Sequence, residues 1–313
     1  ADVRDLAALQ DTIASFAPEI VFHLAAQSLV RRSYVDPVGT YATNVMGTVH
    51  LLEALRKQPT ARAAVVVTSD KCYDNREWVW PYREDEAMGG RDPYSSSKGC
   101  AELVAAAYRA SFLPGRPGDS TPAVATARAG NVVGGGDWAE QRLVPDVVRA
   151  IVAGKPVRLR RPEAIRPWQH VLEPLGGYLL LAERLCAGGS AFAEGWNFGP
   201  FDVDERPARW VARRIADAWG VPLEIEPAAP ELLPHEADVL KLDSAKARSR
   251  LGWCPRWNLA TALDNVVRWH QAHAAGADMR IFSEQQIALY EQASETASAG
   301  SKDGREAGSK AAQ

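Results

Sequence analysis

Between residues 5 and 16 the apolar side chains Leu6, Leu9, Ile13 and Phe16 recur at the spacing of one helical face, and Pro18 closes the segment. The next run, EIVFHLAA, is continuously apolar over a strand's length and predicts a fully buried strand. A long helical pattern fills Thr40 to Arg56, and AAVVVTS, from Ala63 to Ser69, predicts a second buried strand. Helical spacing returns from Tyr94 to Phe112 and is followed by a third strand at Ala123 to Ala129. Buried strands alternating with helices imply right-handed crossovers, and so an α/β fold with a doubly wound parallel sheet of Rossmann type.

After about Gly154 the alternation loosens into shorter elements richer in Trp, Pro and Arg. The division this predicts is a dinucleotide-type domain over 1–153 and a smaller α/β substrate region over 154–293, from which a strand can return to the main sheet. From Ser294 the chain is Ser, Ala, Gly and charge without apolar periodicity, and 294–313 reads as a disordered tail.

With 46% hydrophobic residues over 313 positions the chain can bury a large core, and its net charge of −3 indicates no general affinity for nucleic acid or anionic membrane. No apolar run reaches the roughly 20 residues of a membrane span, and no signal peptide opens the chain, which points to the cytoplasm. Cys72, Cys100, Cys186 and Cys254 are widely spaced, without His partners, and read as reduced, buried thiols rather than metal ligands.

In open parallel sheets ligands sit at the carboxyl ends of strands. Three distinctive loops fall there: HLAAQS after the first strand, TSDKCYD after the second and ARAGNVVGGGDW after the third. DPYSSSKGCAE follows the second loop and sets Tyr94 and Lys98 one helical turn apart on one face, where a cation favours the phenolate. Alone that spacing is a weak signal. Thr68 to Lys71 groups hydroxyls, a carboxylate and an amine that can trade protons with a substrate hydroxyl, although a strand-end turn with local backbone bonds is the simpler reading. Gly134 to Trp138 follows a strand, but its spacing is wrong for a pyrophosphate cradle, and it reads as a tight turn. Among Arg158, Arg160, Arg161 and Arg166, the last is the best placed for bidentate phosphate binding, while His170 reads as structural. Trp78 and Trp80 are candidates to line a cleft.

Taken together, DVRD at the start, HLAAQS, TNVMGT at Thr43 to Thr48, TSDK and the Tyr-x-x-x-Lys of YSSSK resemble the extended short-chain dehydrogenase/reductase family, within it the nucleotide-sugar 4,6-dehydratases. The resemblance runs from residue 2 to about residue 290, and five ordered motifs together are far more specific than any one. VTSDKCYDNREWVW, IRPWQHVLEP and HEADVLKLD resemble the branch acting on CDP-sugars. The dTDP-sugar branch would carry Asp-Glu where this chain has Asp70-Lys71, which leaves the identity of the carbon 5 base open.

The resemblance implies a hydro-lyase that retains NAD and turns CDP-glucose into the 4-dehydro-6-deoxy sugar. It assigns Tyr94 and Lys98 to deprotonating the 4-hydroxyl, Ser69 to the carbon 4 oxygen, Asp70 to the departing 6-hydroxyl and Lys71 to the carbon 5 proton. Asp2, Val3, Leu24, Ala25, Ala26, Thr43, Tyr94 and Lys98 would contact NAD. Ser28, Asn131, Arg142, Arg166 and His235 would hold the nucleotide sugar. It further implies a homodimer formed through two helices per subunit, those around Thr40 to Arg56 and from Tyr94. The family's first strand and Gly-rich turn would precede residue 1, so the chain as it stands would bind NAD weakly. A sugar-nucleotide 4-epimerase and a non-catalytic nucleotide-sugar-binding protein are the competing readings; an epimerase needs no acid at Asp70.

Overall fold

The computed structural model describes residues 1–115, 121–227 and 236–306. Helix α1 (Leu6–Phe16), capped by the Asp5 carboxylate on Ala8 N–H, leads into strand β1 (Ile20–His23). Short helices α2 (Val30–Val35) and α3 (Pro37–Tyr41) follow, and the Asp36 carboxylate caps α3 ahead of Pro37. A π-helical turn, Ala42–Met46, joins α3 to α4 (Gly47–Leu55). The helix expected from Thr40 therefore starts three residues earlier and carries a widened turn at its centre. Strand β2 (Ala63–Val67), helix α5 (Pro93–Ser111) and strand β3 (Ala123–Ala129) lie where the apolar pattern placed them.

Beyond β3 come β4 (Asn131–Val133), α6 (Leu143–Ala153), β5 (Val157–Leu159), β6 (Ile165–His170) and α7 (Leu172–Gly188). Strand β7 (Gly195–Phe198) then returns to the main sheet, whose order is β1-β2-β3-β7 with every pair parallel. Helices α1, α4 and α5 cover one face through Leu51, Leu52, Leu55 and Ala105 on Ala64, Val66 and Val124. Helix α7 covers the other, with Tyr178, Leu181 and Leu185 against Val65, Ala125 and Phe198. This is the doubly wound arrangement.

Strands β4 and β6 continue with β8 (Glu205–Pro207) in a second sheet, and β5 pairs with β9 (Ile225–Pro227). Helices α8 (Ala208–Trp219) and α9 (Leu259–Ala274) close a separate apolar core around Val147, Trp168, Ile215 and Leu263.

Three expectations change. Strand β1 is not buried on all sides, for Ile20 is 43% and Leu24 51% exposed because β1 is the sheet's edge among the described residues. The last helix, α10 (Met279–Glu306), runs into the stretch read as a disordered tail, since an established helix extends cheaply through Ala, Glu and Lys; residues 307–313 lie outside the described residues. The four cysteines are free, but of the buried thiols expected only Cys72 is buried, while Cys100 and Cys186 are half-buried and Cys254 is exposed. No helix among the described residues is long and apolar enough to cross a membrane.

Candidate active site

A cavity of about 930 Å³ opens at the carboxyl ends of β2 and β3 and extends under α6 and β6. Ser28, Ser69, Asp70, Lys71, Tyr94, Asn131, Arg142 and Arg166 all line it. Residues more than a hundred positions apart are brought together because parallel strands end on one side of the sheet.

The Ser69–Lys71 turn is fixed locally. Ser69 accepts the Lys71 N–H at 3.2 Å and donates to Asp70 Oδ1 at 3.0 Å, while Asp70–Cys72 forms one 3-10 turn. Asp70 is 2% exposed, and its Oδ2 has no hydrogen-bond partner. Burial pushes its carboxyl above the usual range, and the nearby Lys71 and Arg166 cations only partly oppose this. A buried carboxyl of raised pKa in a cavity wall is suited to giving a proton to a leaving hydroxyl.

Helix α5 begins at the same wall. The Asp92 side chain caps it, accepting Ser95 N–H at 2.9 Å and the Ser95 hydroxyl at 2.5 Å, and Pro93 presets the first turn. Gly99 lets this helix pass close under the Ser69 turn, since a Cβ there would lie 2.9 Å from Gly89 O and 3.2 Å from Cys72 O. Tyr94 and Lys98 are both buried.

Their relation differs from the phenolate expected of the pair. Lys98 Nζ donates to Val67 O at 3.2 Å. Burial pushes the Tyr94 phenol up to about 12, with a hydrogen bond to Ser69 pulling it down. In the protein alone Tyr94 is a phenol, because desolvation of the anion outweighs the Ser69 hydrogen bond and the Arg142 cation. Burial also brings Lys98 down to about 8, against the pull of Glu102.

The remaining sugar-nucleotide candidates form the far wall. Arg142 donates to Asp137 Oδ2 at 3.1 Å and to Ser28 Oγ at 2.9 Å, which spans the cavity mouth. Arg166 is held by Ile165 O at 2.8 Å, Asp238 O at 3.3 Å and Ala237 O. His235 lies outside the described residues.

The candidates for the cofactor are less concentrated. Val3, Leu24 and Ala25 line a separate apolar pocket of about 360 Å³ beside β1. Ala26 and Thr43 are half-buried, and exposed Asp2 pairs with Arg4 at 2.6 Å. Val3 packs on Gly47, where a Cβ would come within 2.9 Å of it.

Several features resolve toward packing. The Gly134–Trp138 turn seats on α9, since a Cβ on Gly135 would fall 2.2 Å from the Trp269 ring. His170 is buried, accepts Leu172 N–H at 3.3 Å and meets Trp257 edge-on. Trp78 stacks on Tyr82 and Trp80 is 67% exposed, and neither lines the cavity as the sequence had suggested. Sequence reasoning missed Asn44, which sits in the π-turn and bonds both Gln27 and Ser97. It also missed Asp137 and Glu102. Only Glu102 carried a signal, its position one turn beyond Lys98.

The sequence pattern of the family described as GDP-mannose 4,6 dehydratase matches residues 1–266. The chain belongs to this family. Among family relatives, the CDP-glucose 4,6-dehydratase of Salmonella typhimurium is 53% identical over 295 residues, covering 92% of this chain and 80% of that protein. The UDP-glucose 4-epimerase of Mycolicibacterium smegmatis is 29% identical over 271 residues, covering 86% of this chain and 81% of that protein. Among solved structures, the dTDP-glucose 4,6-dehydratase DesIV of Streptomyces venezuelae with NAD bound superposes with a TM-score of 0.75 at 25% identity, covering 89% of this chain and 80% of the other. The Thermus thermophilus UDP-glucose 4-epimerase in complex with NAD gives 0.73 at 23% identity, over 87% and 83%, which supports the fold alone. The doubly wound fold of the 4,6-dehydratases and 4-epimerases is thus the fold of this family member.

Proposed function

We propose that the protein is a CDP-glucose 4,6-dehydratase, a hydro-lyase that converts CDP-D-glucose into CDP-4-dehydro-6-deoxy-D-glucose and water. The observation that carries this reading is the buried Asp70 carboxyl in the cavity wall, raised in pKa and with Oδ2 unpartnered, beside Ser69 and Tyr94. Dehydration needs an acid at that point and epimerisation does not. The 53% identity to the Salmonella enzyme supports CDP-glucose over the other nucleotide sugars.

NAD fits this site. Tyr94 and Lys98 stand beside the end of β2, Lys98 tied to Val67 O, and the end of β1 next to it is open at Leu24 and Ala25. Leu24, Ala25, Ala26, Val3, Asp2 and Thr43 would hold the dinucleotide, with Lys98 on its ribose. When bound, NAD supplies a hydride acceptor for carbon 4, a hydride donor for carbon 6 and a positive charge that favours the Tyr94 phenolate. Tyr94 takes the proton of the 4-hydroxyl, and Ser69 hydrogen-bonds the oxygen at carbon 4. The ketone formed there acidifies the carbon 5 proton, which Lys71 removes, while Asp70 protonates the departing 6-hydroxyl. Arg166 and Arg142 hold the diphosphate and sugar with Ser28 and Asn131, and His235 adjoins the nucleotide.

We place the reaction in the cytoplasm, in keeping with four unpaired cysteines. We further propose a homodimer through α4 and α5, where Leu103 on α5, Met46 at the turn into α4 and Phe112 just after α5 are exposed. Replacing Asp70 by Asn tests the functional reading. With CDP-glucose and NAD, we expect loss of water, followed by mass spectrometry, to slow by about a hundredfold or more. Unchanged loss of water in the variant would remove Asp70 from the acid's role, and a wild-type protein that isomerises the sugar without losing water would favour an epimerase.

A further inference from the structure

Beneath the Ser69 turn lies a charged pair that the proposed chemistry does not use. Tyr94, Lys98 and Glu102 fall at successive four-residue steps and so form one stripe along α5. Glu102 is 3% exposed, and its carboxylate accepts from four donors: Thr68 Oγ1, Thr126 Oγ1 at 2.6 Å, Arg128 Nε at 3.0 Å and Arg128 Nη2 at 2.8 Å. Lys98, one turn earlier, holds Val67 O. Two neighbouring residues of one helical stripe therefore grip the two residues that precede Ser69.

Arg128 carries the connection further. Its Nη1 donates to the Tyr73 hydroxyl at 2.8 Å and to Glu84 O at 3.1 Å, both on the excursion that follows the turn. Room for the guanidinium comes from Gly195 on β7, where a Cβ would lie 2.4 Å from Arg128 Nη2. The segment containing Ser69, Asp70 and Lys71 is thus anchored before it by Glu102 and after it by Arg128.

We propose that Glu102, backed by Arg128, is a positioning residue for the dehydratase reaction: it fixes the Ser69–Asp70 turn against Tyr94 and keeps an anion beside the Lys98 ammonium. The inference rests on the function proposed above. A buried ion pair contributes little net stability compared with apolar residues of similar volume, so its use here is geometric and electrostatic. The charged and titratable groups around Lys98 are Tyr94 and Glu102 on its own helix, Cys72 in the turn and His23 at the end of β1. Glu102 is held anionic: burial pushes its carboxyl up, but Arg128 and the hydroxyl donors outweigh this and leave it below the usual range. Among these neighbours it is the one standing anion at neutral pH.

The test uses protein expressed from its complete gene, with kcat and KM for CDP-glucose measured from about pH 6 to about pH 10 alongside Tm. Thr68→Val cuts the tie between Glu102 and the turn while keeping both charges. Glu102→Gln combined with Arg128→Met removes both charges, so neither is left alone in the interior. Glu173→Gln is the control, a buried carboxylate remote from the cavity that accepts Arg256 N–H, Trp257 N–H and the Tyr290 hydroxyl. We expect Thr68→Val to lower kcat about tenfold with KM nearly unchanged, as misplacement of reacting groups does. The double variant should move the alkaline limb of kcat down by about one pH unit, as loss of a nearby anion does. The control should lower Tm and leave the limb in place. The proposal is overturned if Thr68→Val and the double variant only lower Tm, with kcat and the alkaline limb at wild-type values. A wild-type protein that does not dehydrate CDP-glucose would overturn the functional reading instead.

Discussion

Asp70 and Lys71 stand side by side on one turn, yet their surroundings separate their roles. Asp70 is enclosed and favours its protonated form, whereas Lys71 is half-buried at the cavity wall. Replacing Lys71 by Met should therefore block proton removal at carbon 5. The check is deuterium uptake at carbon 5 from heavy water, where we expect at least a tenfold slower exchange. Unchanged exchange would assign the base elsewhere. Lys98 gives a second expectation. Burial lowers it to about 8, so its ammonium is lost as the pH rises through that value. The activity should fall on the alkaline side near pH 8, and a flat kcat/KM to pH 10 would contradict a need for this cation. What the sequence could show at this scale was adjacency along one helical face, Tyr94 over Lys98. It could not show that Lys98 turns to Val67 O, because that depends on where β2 ends in space.

Helix α5 is the element on which the site depends, since it carries Tyr94 and Lys98 and is crossed closely by the Ser69 turn at Gly99. Its start is set by Asp92, and Asp92→Ala should cost about 1 kcal/mol of stability, as loss of an N-cap does, measured by denaturant unfolding. Both the helix and the strand ahead of it were legible because their apolar periods are unambiguous. The π-turn at Ala42–Met46 was not, since the pattern of a helix is nearly the same with one widened turn. There Asn44 bonds Gln27 and Ser97, tying the end of the HLAAQS loop to α5.

Across the whole molecule, the parallel order β1-β2-β3-β7 gathers one wall of the cavity and the β6 region supplies the other. The first wall followed from strand-end loops in the sequence. The second came from family resemblance, because short strands among Arg and Pro leave no clear period. Two buried histidines predict the acid stability of this assembly. Burial holds His23 and His170 down to about 4, well below the 6.5 of a free imidazole. The unfolded chain binds those protons first, so stability present above pH 6.5 should be lost as the pH falls from about 6.5 to about 4. Denaturant titrations across that window check this; a flat midpoint would contradict it. For the function, the decisive measurement follows CDP-glucose carrying deuterium at carbon 4. The account predicts a product that has lost water and carries the label on carbon 6. Label remaining on carbon 4, in a sugar that has kept its 6-hydroxyl, would contradict it.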